Sequence, residues 1–359
     1  MKILHVITSL EIGGAQRLLS DLLPILKEEC ESEVLVMYSA ENSLVDKLKD
    51  SSIPIHSLER KDIYNPLNVF RLKKYLNGYD ILHVHLFPVE YWVPIASWFS
   101  KTKLVYTEHS TSNRRRSISA FRLIDRWIYS RYDRIISISS ETQGSLTKWL
   151  KTKFGDNRFI LINNGINTSR FSNVQRSDII SDDKVALMMV SRFAPSKDQK
   201  TVIRALAQLD DKYHLYFIGD GSLLEETKCY AHEMGVSDKV TFLGARDDIP
   251  ELVASCDIGI QSSNWEGFGL TAVEIMAAGK PVIASDVDGL NHVVEGAGLL
   301  FDRGNDAQLA DLIKRLTDNR SEYKSVAERC KTRAQKYDIK YMVKEYLKVY
   351  QSLTGGIIY

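Results

Sequence analysis

The sequence predicts two doubly wound α/β domains in tandem, and three observations predict it. Short apolar runs of strand length alternate with helical stretches along most of the chain, the pattern of a parallel sheet covered by helices on both faces. That alternation is interrupted once, between residues 163 and 183, by a polar stretch of little periodicity that begins Asn-Asn-Gly-Ile-Asn and reads as a linker. At 359 residues, the chain is also long for a single core.

The elements follow in order. Residues 2–7 fit a buried first strand, and Gly13-Gly14 opens a helix along which Leu18, Leu19, Leu22, Leu23 and Leu26 recur at helical spacing. Strand, glycine pair and helix together present backbone N–H groups to phosphate. The full G-x-G-x-x-G dinucleotide pattern is absent, which weakens a nicotinamide reading. Further strands are expected at residues 33–37, 53–58, 80–84, 103–107, 134–138 and 158–163. Ligands of such sheets sit beyond the carboxyl ends of strands, where two segments carry unusual chemistry: His83-Val84-His85 and Thr107-Glu108-His109-Ser110. A histidine in such a place is more often a hydrogen-bonded structural group than a catalyst, and His109, in a polar cluster past a well-formed strand, is the better candidate for chemistry. After the linker, strands are expected at residues 184–191, 214–219, 239–243, 258–261 and 281–285. Three helical stretches close the chain beyond Asp306, and the aromatic stripe of the last (Tyr341, Tyr346, Tyr350) reads as packing.

Composition bounds the function. Hydrophobic and charged fractions of 44% and 26% are those of an ordinary globular protein. The net charge of +1 hides an asymmetry, because residues 1–163 hold 23 basic and 18 acidic residues and the remainder 24 and 28. A moderately basic first half suits an anionic surface or substrate; nucleic acid is not an expected partner. Cys30, Cys229, Cys256 and Cys330 show no C-x-x-C spacing and are expected to be reduced thiols in a cytoplasmic protein, with no zinc site. The opening MKILHVITSL reads as a strand rather than a signal peptide, and no run of about 18 apolar residues suggests a membrane span. Without export, Asn167-Thr168-Ser169 is a chance glycosylation match.

The richest chemistry lies at residues 264–278, NWEGFGLTAVEIMAA. Glu266 precedes Gly267-Phe268-Gly269, a helix begins near Leu270, and Glu274 follows inside it. Glycines allow close backbone approach, and a helix start favours phosphate. Two carboxylates beside it suit a ligand that bears hydroxyls as well, such as a sugar nucleotide. Ser191-Arg192-Phe193-Ala194-Pro195-Ser196-Lys197 follows another strand. Its Arg fork and Lys point charge suit a diphosphate, each worth about 4 kcal/mol at 4 Å in an effective dielectric of about 20. Gly219-Asp220-Gly221 is explained by a tight turn. Asp286-Val287-Asp288 could hold Mg²⁺, but Arg192, Lys197 and a helix start already supply positive charge, so neither a metal nor another cofactor is expected.

Taken together, these segments resemble the retaining glycosyltransferases of GT-B architecture, in the family 4 (group 1) class that builds bacterial polysaccharides. The resemblance spans nearly the whole chain. It rests on Gly13-Gly14-Ala15-Gln16-Arg17, Asn164-Gly165-Ile166-Asn167, Ser191-Arg192 with Lys197, Gly219-Asp220-Gly221, Phe242-Leu243-Gly244 and the E-x7-E pair Glu266 and Glu274. It implies two Rossmann-like domains facing across a cleft: residues 1–165 for the acceptor, 166–337 for the donor, and a final helix, 338–359, crossing back to the first. Glu274 would bind the ribose hydroxyls. Glu266 and the Gly267, Phe268, Gly269 and Leu270 backbone would hold sugar and phosphates. Arg192 and Lys197 would neutralise the diphosphate, helped by Gly13-Gly14, and the base would lie near Leu243 to Arg246. His109 matches the histidine that hydrogen-bonds the donor sugar near the reacting carbon. Asp198 departs from the glycine of many relatives, which puts the loop shape in question, and Glu108 is expected to tune acceptor binding.

The implied activity is transfer from a nucleotide-sugar, with UDP the expected nucleotide, to a lipid-linked or saccharide hydroxyl, with retention at the anomeric carbon. A non-hydrolysing UDP-sugar 2-epimerase on the same architecture is the alternative. Arg114-Arg115-Arg116 with Phe121, Leu123, Ile124 and Trp127, and Tyr91-Trp92 and Trp98-Phe99 with Lys101 and Lys103, combine basic and apolar groups. Such a surface is expected to rest on anionic lipid at the inner face of the cytoplasmic membrane.

Overall fold

The computed structural model describes residues 1–11, 13–111, 114–152, 155–181 and 183–355; the side chain of Arg114 lies outside that description. The chain divides into two units, one of Met1–Gly165 with Ile339–Tyr359, the other of Ile166–Asp338.

The first unit is built on strands β1 (Lys2–Ile7), β2 (Glu31–Val36), β3 (Ile55–Ser57), β4 (Ile81–His85), β5 (Lys103–Glu108), β6 (Arg134–Ser137) and β7 (Phe159–Leu161). They form one parallel sheet of order β3-β2-β1-β4-β5-β6-β7. Between them run α1 (Gly14–Leu26), α2 (Ser43–Asp50), α3 (Asn68–Lys73), α4 (Val89–Ala96), α5 (Phe121–Tyr129) and α6 (Ser140–Leu150). The strands read as unbroken apolar runs because both faces are covered. Ile3, Ile7, Ile81 and Val105 join the leucines of α1 on one face, while Leu4, Val6, Leu82 and Leu104 join Val89, Val93, Ile128 and Leu146 on the other.

The second unit carries β8 (Val185–Val190), α7 (Gln199–Ala207), β9 (Tyr213–Ile218), α8 (Leu224–Glu233), β10 (Val240–Phe242), α9 (Ile249–Ser255) and β11 (Ile258–Gln261). It continues through α10 (Leu270–Ala277), β12 (Val282–Asp286), α11 (Asn291–Val294), β13 (Leu299–Asp302), α12 (Asp306–Asp318) and α13 (Arg320–Gln335). Its sheet is parallel in the order β10-β9-β8-β11-β12-β13. The last helix, α14 (Ile339–Thr354), belongs to the first unit, where Met342, Val343, Tyr346, Val349 and Tyr350 are buried on the α1 face. Each such apolar side chain contributes roughly 1.5–3 kcal/mol on burial, enough to hold the helix there.

Two features differ from the sequence reading. Strand β13 was not expected, because its apolar run is only Leu299 to Phe301 and it lies at the sheet edge. The stretch read as a linker is anchored on the second unit: Phe171 and Ile180 are buried, and the Ser177 N–H donates to Ser255 Oγ at 2.7 Å. Its anchors are too widely spaced to create a period.

Candidate functional site

Strand order locates the chemistry in each unit. In the second, β8 and β11 are neighbours although β9 and β10 lie between them in sequence, so connections leave this point in opposite directions. Loops after two such strands diverge and open a crevice at the carboxyl edge. The loops in question are residues 191–198 and 262–269, which hold most of the expected donor-binding groups.

These two loops are stitched together. Lys197 and Ser263 form an antiparallel bridge, the Asp198 N–H donates to Ser262 O at 3.1 Å, and the Asn264 N–H donates to Ser196 O at 2.8 Å. Asp198 caps α7 by accepting from the Thr201 N–H at 3.2 Å. Its φ of −127° is open to any residue, so the loop does not require glycine at this point. Phe193 is buried between Phe217 and Phe242, with ring centroids 5.8 and 6.1 Å away. Glycines 219 and 221 support the loop from below. A Cβ on Gly219 would stand 2.1 Å from Ser191 O, and one on Gly221 would stand 2.3 Å from Phe193 O.

The two cations expected on a diphosphate are in different states. Lys197 forms an ion pair with Glu266 and lies 3.5 Å from Ser263 Oγ. Arg192 is exposed, and its guanidinium has no hydrogen-bond or ion-pair partner among the described residues. Glu266 leads into a turn that ends on Gly269 at φ +89°, the residue preceding α10. The N–H groups of Phe268, Gly269, Leu270 and Thr271 find no acceptor among the described residues, and the first turn of α10 holds no acid. This helix start therefore keeps its positive end available for an anion. Phe268 itself is buried edge-on to Tyr337, 5.3 Å away, so its amide and not its ring is on offer. Glu274 is buried one turn inside α10.

Leu243 continues from β10, its N–H donating to Phe217 O at 2.9 Å. Arg246 is held by Asp248 through bonds of 2.8 and 2.6 Å, so its charge is already matched. Gly289 is a group the sequence reading passed over. It has φ +81°, and a Cβ there would meet Glu266 O at 2.2 Å, so loop 287–290 can lie under the Glu266 turn only with glycine at this point. Its signal was the Gly-Leu that follows Asp286-Val287-Asp288.

In the first unit, β1 and β4 are the neighbours from which the chain diverges. Gly13 precedes α1 in extended backbone and Gly14 is its exposed first residue, with no acid in the first turn and no side-chain cap. His109 follows β5 and is partly buried, with its ring held below the usual histidine range, at about 4, by burial. Behind it, His85 Nδ1 lies 3.2 Å from His109 Nε2, and His5 Nδ1 lies 3.2 Å from His85 Nε2. His83 sits between Tyr350 OH at 2.6 Å and Thr107 Oγ1 at 2.7 Å. The aromatic stripe of α14, expected only to pack, thus also hydrogen-bonds this cluster. Burial keeps His5, His83 and His85 neutral, with His5 lowered to about 3.

Two expectations are corrected nearby. Arg115 and Arg116 are not solvent-facing: Arg115 pairs with Glu90 and lies 3.6 Å from Asp125, and Arg116 pairs with Glu108. Glu108 is buried, bonded also by Tyr129 OH at 3.1 Å, so it supports the fold and is not presented to an acceptor. The physical reason is shared, since a carboxylate buried under Tyr106 and Tyr129 requires a paired cation.

The chain matches the family model of the glycosyl transferases group 1 over residues 171–337 and that of glycosyltransferase family 4 over residues 12–170. It is 25% identical to the N-acetylgalactosamine-N,N'-diacetylbacillosaminyl-diphospho-undecaprenol 4-alpha-N-acetylgalactosaminyltransferase of Campylobacter jejuni, over 95% of this chain and 97% of the relative. It is 24% identical to the UDP-Gal:alpha-D-GlcNAc-diphosphoundecaprenol alpha-1,3-galactosyltransferase of Escherichia coli, over 89% of each. Among solved structures, Anabaena HepE in complex with UDP and glucose superposes with a TM-score of 0.87 at 23% identity, covering 98% of this chain and all of that one. Motifs, strand order and these matches agree: the chain belongs to the family 4 glycosyltransferases of GT-B architecture.

Proposed function

We propose that the protein transfers a sugar from a UDP-sugar to a hydroxyl of a lipid-linked saccharide, with retention at the anomeric carbon. The observation that carries this reading is the arrangement at the carboxyl edge of β8 and β11. A guanidinium at Arg192 without a partner among the described residues and the open N–H groups of residues 268–271 flank a strand-order reversal, with the buried Glu274 carboxylate one helical turn away. In this reading Arg192 and the α10 start take the diphosphate, and Glu274 takes the ribose hydroxyls. Lys197 and Glu266, which pair with each other in the structure, turn to phosphate and sugar respectively. Leu243 and its neighbours border the base. His109 and the Gly13-Gly14 helix start serve the same reaction from the first unit.

The bond from the anomeric carbon to the β-phosphate oxygen breaks, and the acceptor oxygen bonds on the same face. The acceptor proton passes to the departing phosphate. Positive groups fixed before reaction stabilise the charge that grows on that phosphate. No metal is assigned a step. A lipid-linked acceptor is supported by the two relatives whose names specify diphospho-undecaprenol substrates, and UDP by the neighbour solved with it.

A peripheral membrane contact belongs to the same reading. The outer face of α5 exposes Leu123, Ile124 and Trp127; Trp98 stacks on Trp127 at 5.5 Å, with Arg131 over Trp98 at 4.2 Å. Phe99 is 91% exposed beside Lys101. Apolar rings among cations suit an anionic lipid surface, although Arg115 and Arg116 do not take part. No helix among the described residues is long and apolar enough to cross a membrane.

The test is incubation with UDP-, GDP- and ADP-sugars, with and without a diphospho-undecaprenol-linked saccharide. Acceptor-dependent release of UDP, with the product's anomeric coupling constant matching the donor's, is expected. Inversion at C2 of the sugar would indicate an epimerase, and binding without turnover a module with a dead site. Either result overturns the proposal.

A further inference from the structure

Three histidines stand in file across neighbouring strands of the first sheet. Register pairs His5 of β1 with His83 of β4, and Ile7 with His85, so these side chains share the face covered by α1 and α14. Thr107 of β5 pairs with His85, and His109 follows two residues on. The file runs from His5 to His85 to His109 through the two contacts of 3.2 Å. His83 stands beside it, its ring centroid 4.2 Å from that of His85 and both its nitrogens engaged by hydroxyls.

A neutral imidazole has one N–H and one bare nitrogen. Each contact in the file needs one donor and one acceptor, so all three rings carry their proton on Nδ1 or all three on Nε2. The two polarities differ only at the ends. His5 Nε2 is buried and has no hydrogen-bond partner among the described residues. With protons on Nε2, this end would be an orphaned buried N–H. With protons on Nδ1, it is a bare acceptor, and orphaned buried donors are the rarer of the two. At the other end, His109 is partly exposed and its Nδ1 has no partner among the described residues.

We propose that the file holds His109 in its Nδ1–H tautomer, so that it donates a hydrogen bond to a ligand oxygen, with His5 and His85 as positioning residues. The groups that face the file from the elements packed on it are His83, Thr107, Tyr346 and Tyr350. No carboxylate is among the charges acting on His83 or His85, so no neighbouring anion favours a protonated ring. A metal would compete for the same nitrogens, since ligating atoms of His5, His83 and His85 lie within 4.8 Å of one another. It would have to strip His83 of a hydroxyl partner and place its charge among neutral rings. The tautomer stands on geometry alone, while its use in catalysis rests on the transfer reaction proposed above.

The test uses the full chain labelled with ¹⁵N-histidine. Long-range ¹H–¹⁵N correlation spectra at pH 7, assigned through His109→Gln, read each tautomer directly. Wild type should show His5, His85 and His109 each as a single Nδ1–H form. In His5→Phe the file loses its first donor, and the ratio of forms at His109 should change at least tenfold. His5→Asn, whose amide can donate from the Nδ1 position, should restore it. With a UDP-sugar and acceptor, His5→Phe should lower kcat about tenfold and leave the donor KM within twofold. An Nε2–H form of His109 in wild type, an unchanged His109 ratio in His5→Phe, or one equivalent of zinc in the purified protein would overturn the proposal. The wild-type spectrum decides even where His5→Phe does not fold. A chain that transfers no sugar yet shows the expected tautomers would sink the transfer reading and leave the file standing.

Discussion

Acid should destabilise the first unit through its buried histidines, and His5 allows the effect to be isolated. Burial lowers its pKa from about 6.5 in the unfolded chain to about 3. Below 6.5 the unfolded chain takes up a proton that the folded ring refuses. The associated stability is therefore complete above that value and is lost as pH falls toward 3. Between pH 7 and pH 5 about 1.4 of the two pH units count, at about 1.4 kcal/mol each, so His5 alone accounts for about 2 kcal/mol. Glu90, pushed up to about 7 by burial against the pull of Arg115, changes in the opposite sense over the same range. Comparison of wild type with His5→Phe cancels that contribution. The assay is urea unfolding followed by tryptophan fluorescence, which reports mainly on the first unit because Trp92, Trp98, Trp127 and Trp149 lie there and only Trp265 lies in the second. Wild type should lose about 2 kcal/mol more than His5→Phe between pH 7 and pH 5. Equal losses in the two proteins would show that the folded chain does not hold His5 neutral over this range.

Three further predictions follow from the site. Arg192→Ala should leave the melting temperature almost unchanged, since the side chain is exposed and has no partner among the described residues, yet lower transfer by about 10²-fold or more; near-wild-type rates would remove Arg192 from the donor site. Gly289→Ala forces a Cβ against Glu266 O at φ +81°, a strain of about 1–3 kcal/mol from the backbone alone. It should lower the melting temperature by several degrees and raise the donor KM, and a silent substitution would show that the Glu266 turn does not depend on this support. Leu123→Ser with Trp127→Ser removes apolar groups from the outer face of α5, and should reduce sedimentation with anionic liposomes at low salt while leaving transfer to a detergent-solubilised acceptor intact. Equal sedimentation of variant and wild type would exclude this face.

The alternation of apolar strands with helices was legible because parallel sheets covered on both faces are made of continuous apolar runs, as in 2–7 and 185–190. One edge strand was not: β13 has three apolar residues and no period to betray it. The donor loops were legible through glycine and charge, because both residue types have a local reason to stand at a strand end. Which charges remain free was not. Arg192 and Arg115 look alike in sequence, yet one is open to solvent and the other is matched by Glu90, a carboxylate far along the chain. The same holds for the file behind His109. Its members come from β1, β4 and the end of β5, and only the register of three strands brings them within hydrogen-bonding distance. Gly289 was hidden for a related reason, since its constraint is the backbone of Glu266 in another loop.

In the proposed reaction, the carboxyl edge at β8 and β11 binds a nucleotide-sugar through Arg192 and the start of α10. Calorimetric titration of UDP and UDP-sugars into wild type and Arg192→Ala measures that binding. A charge-assisted hydrogen bond worth about 1.5–3 kcal/mol corresponds to roughly 10- to 150-fold in Kd, so the variant should bind UDP at least tenfold more weakly at an unchanged melting temperature. Equal affinity in the two proteins, or no binding of any nucleotide-sugar by wild type, would rule out this site.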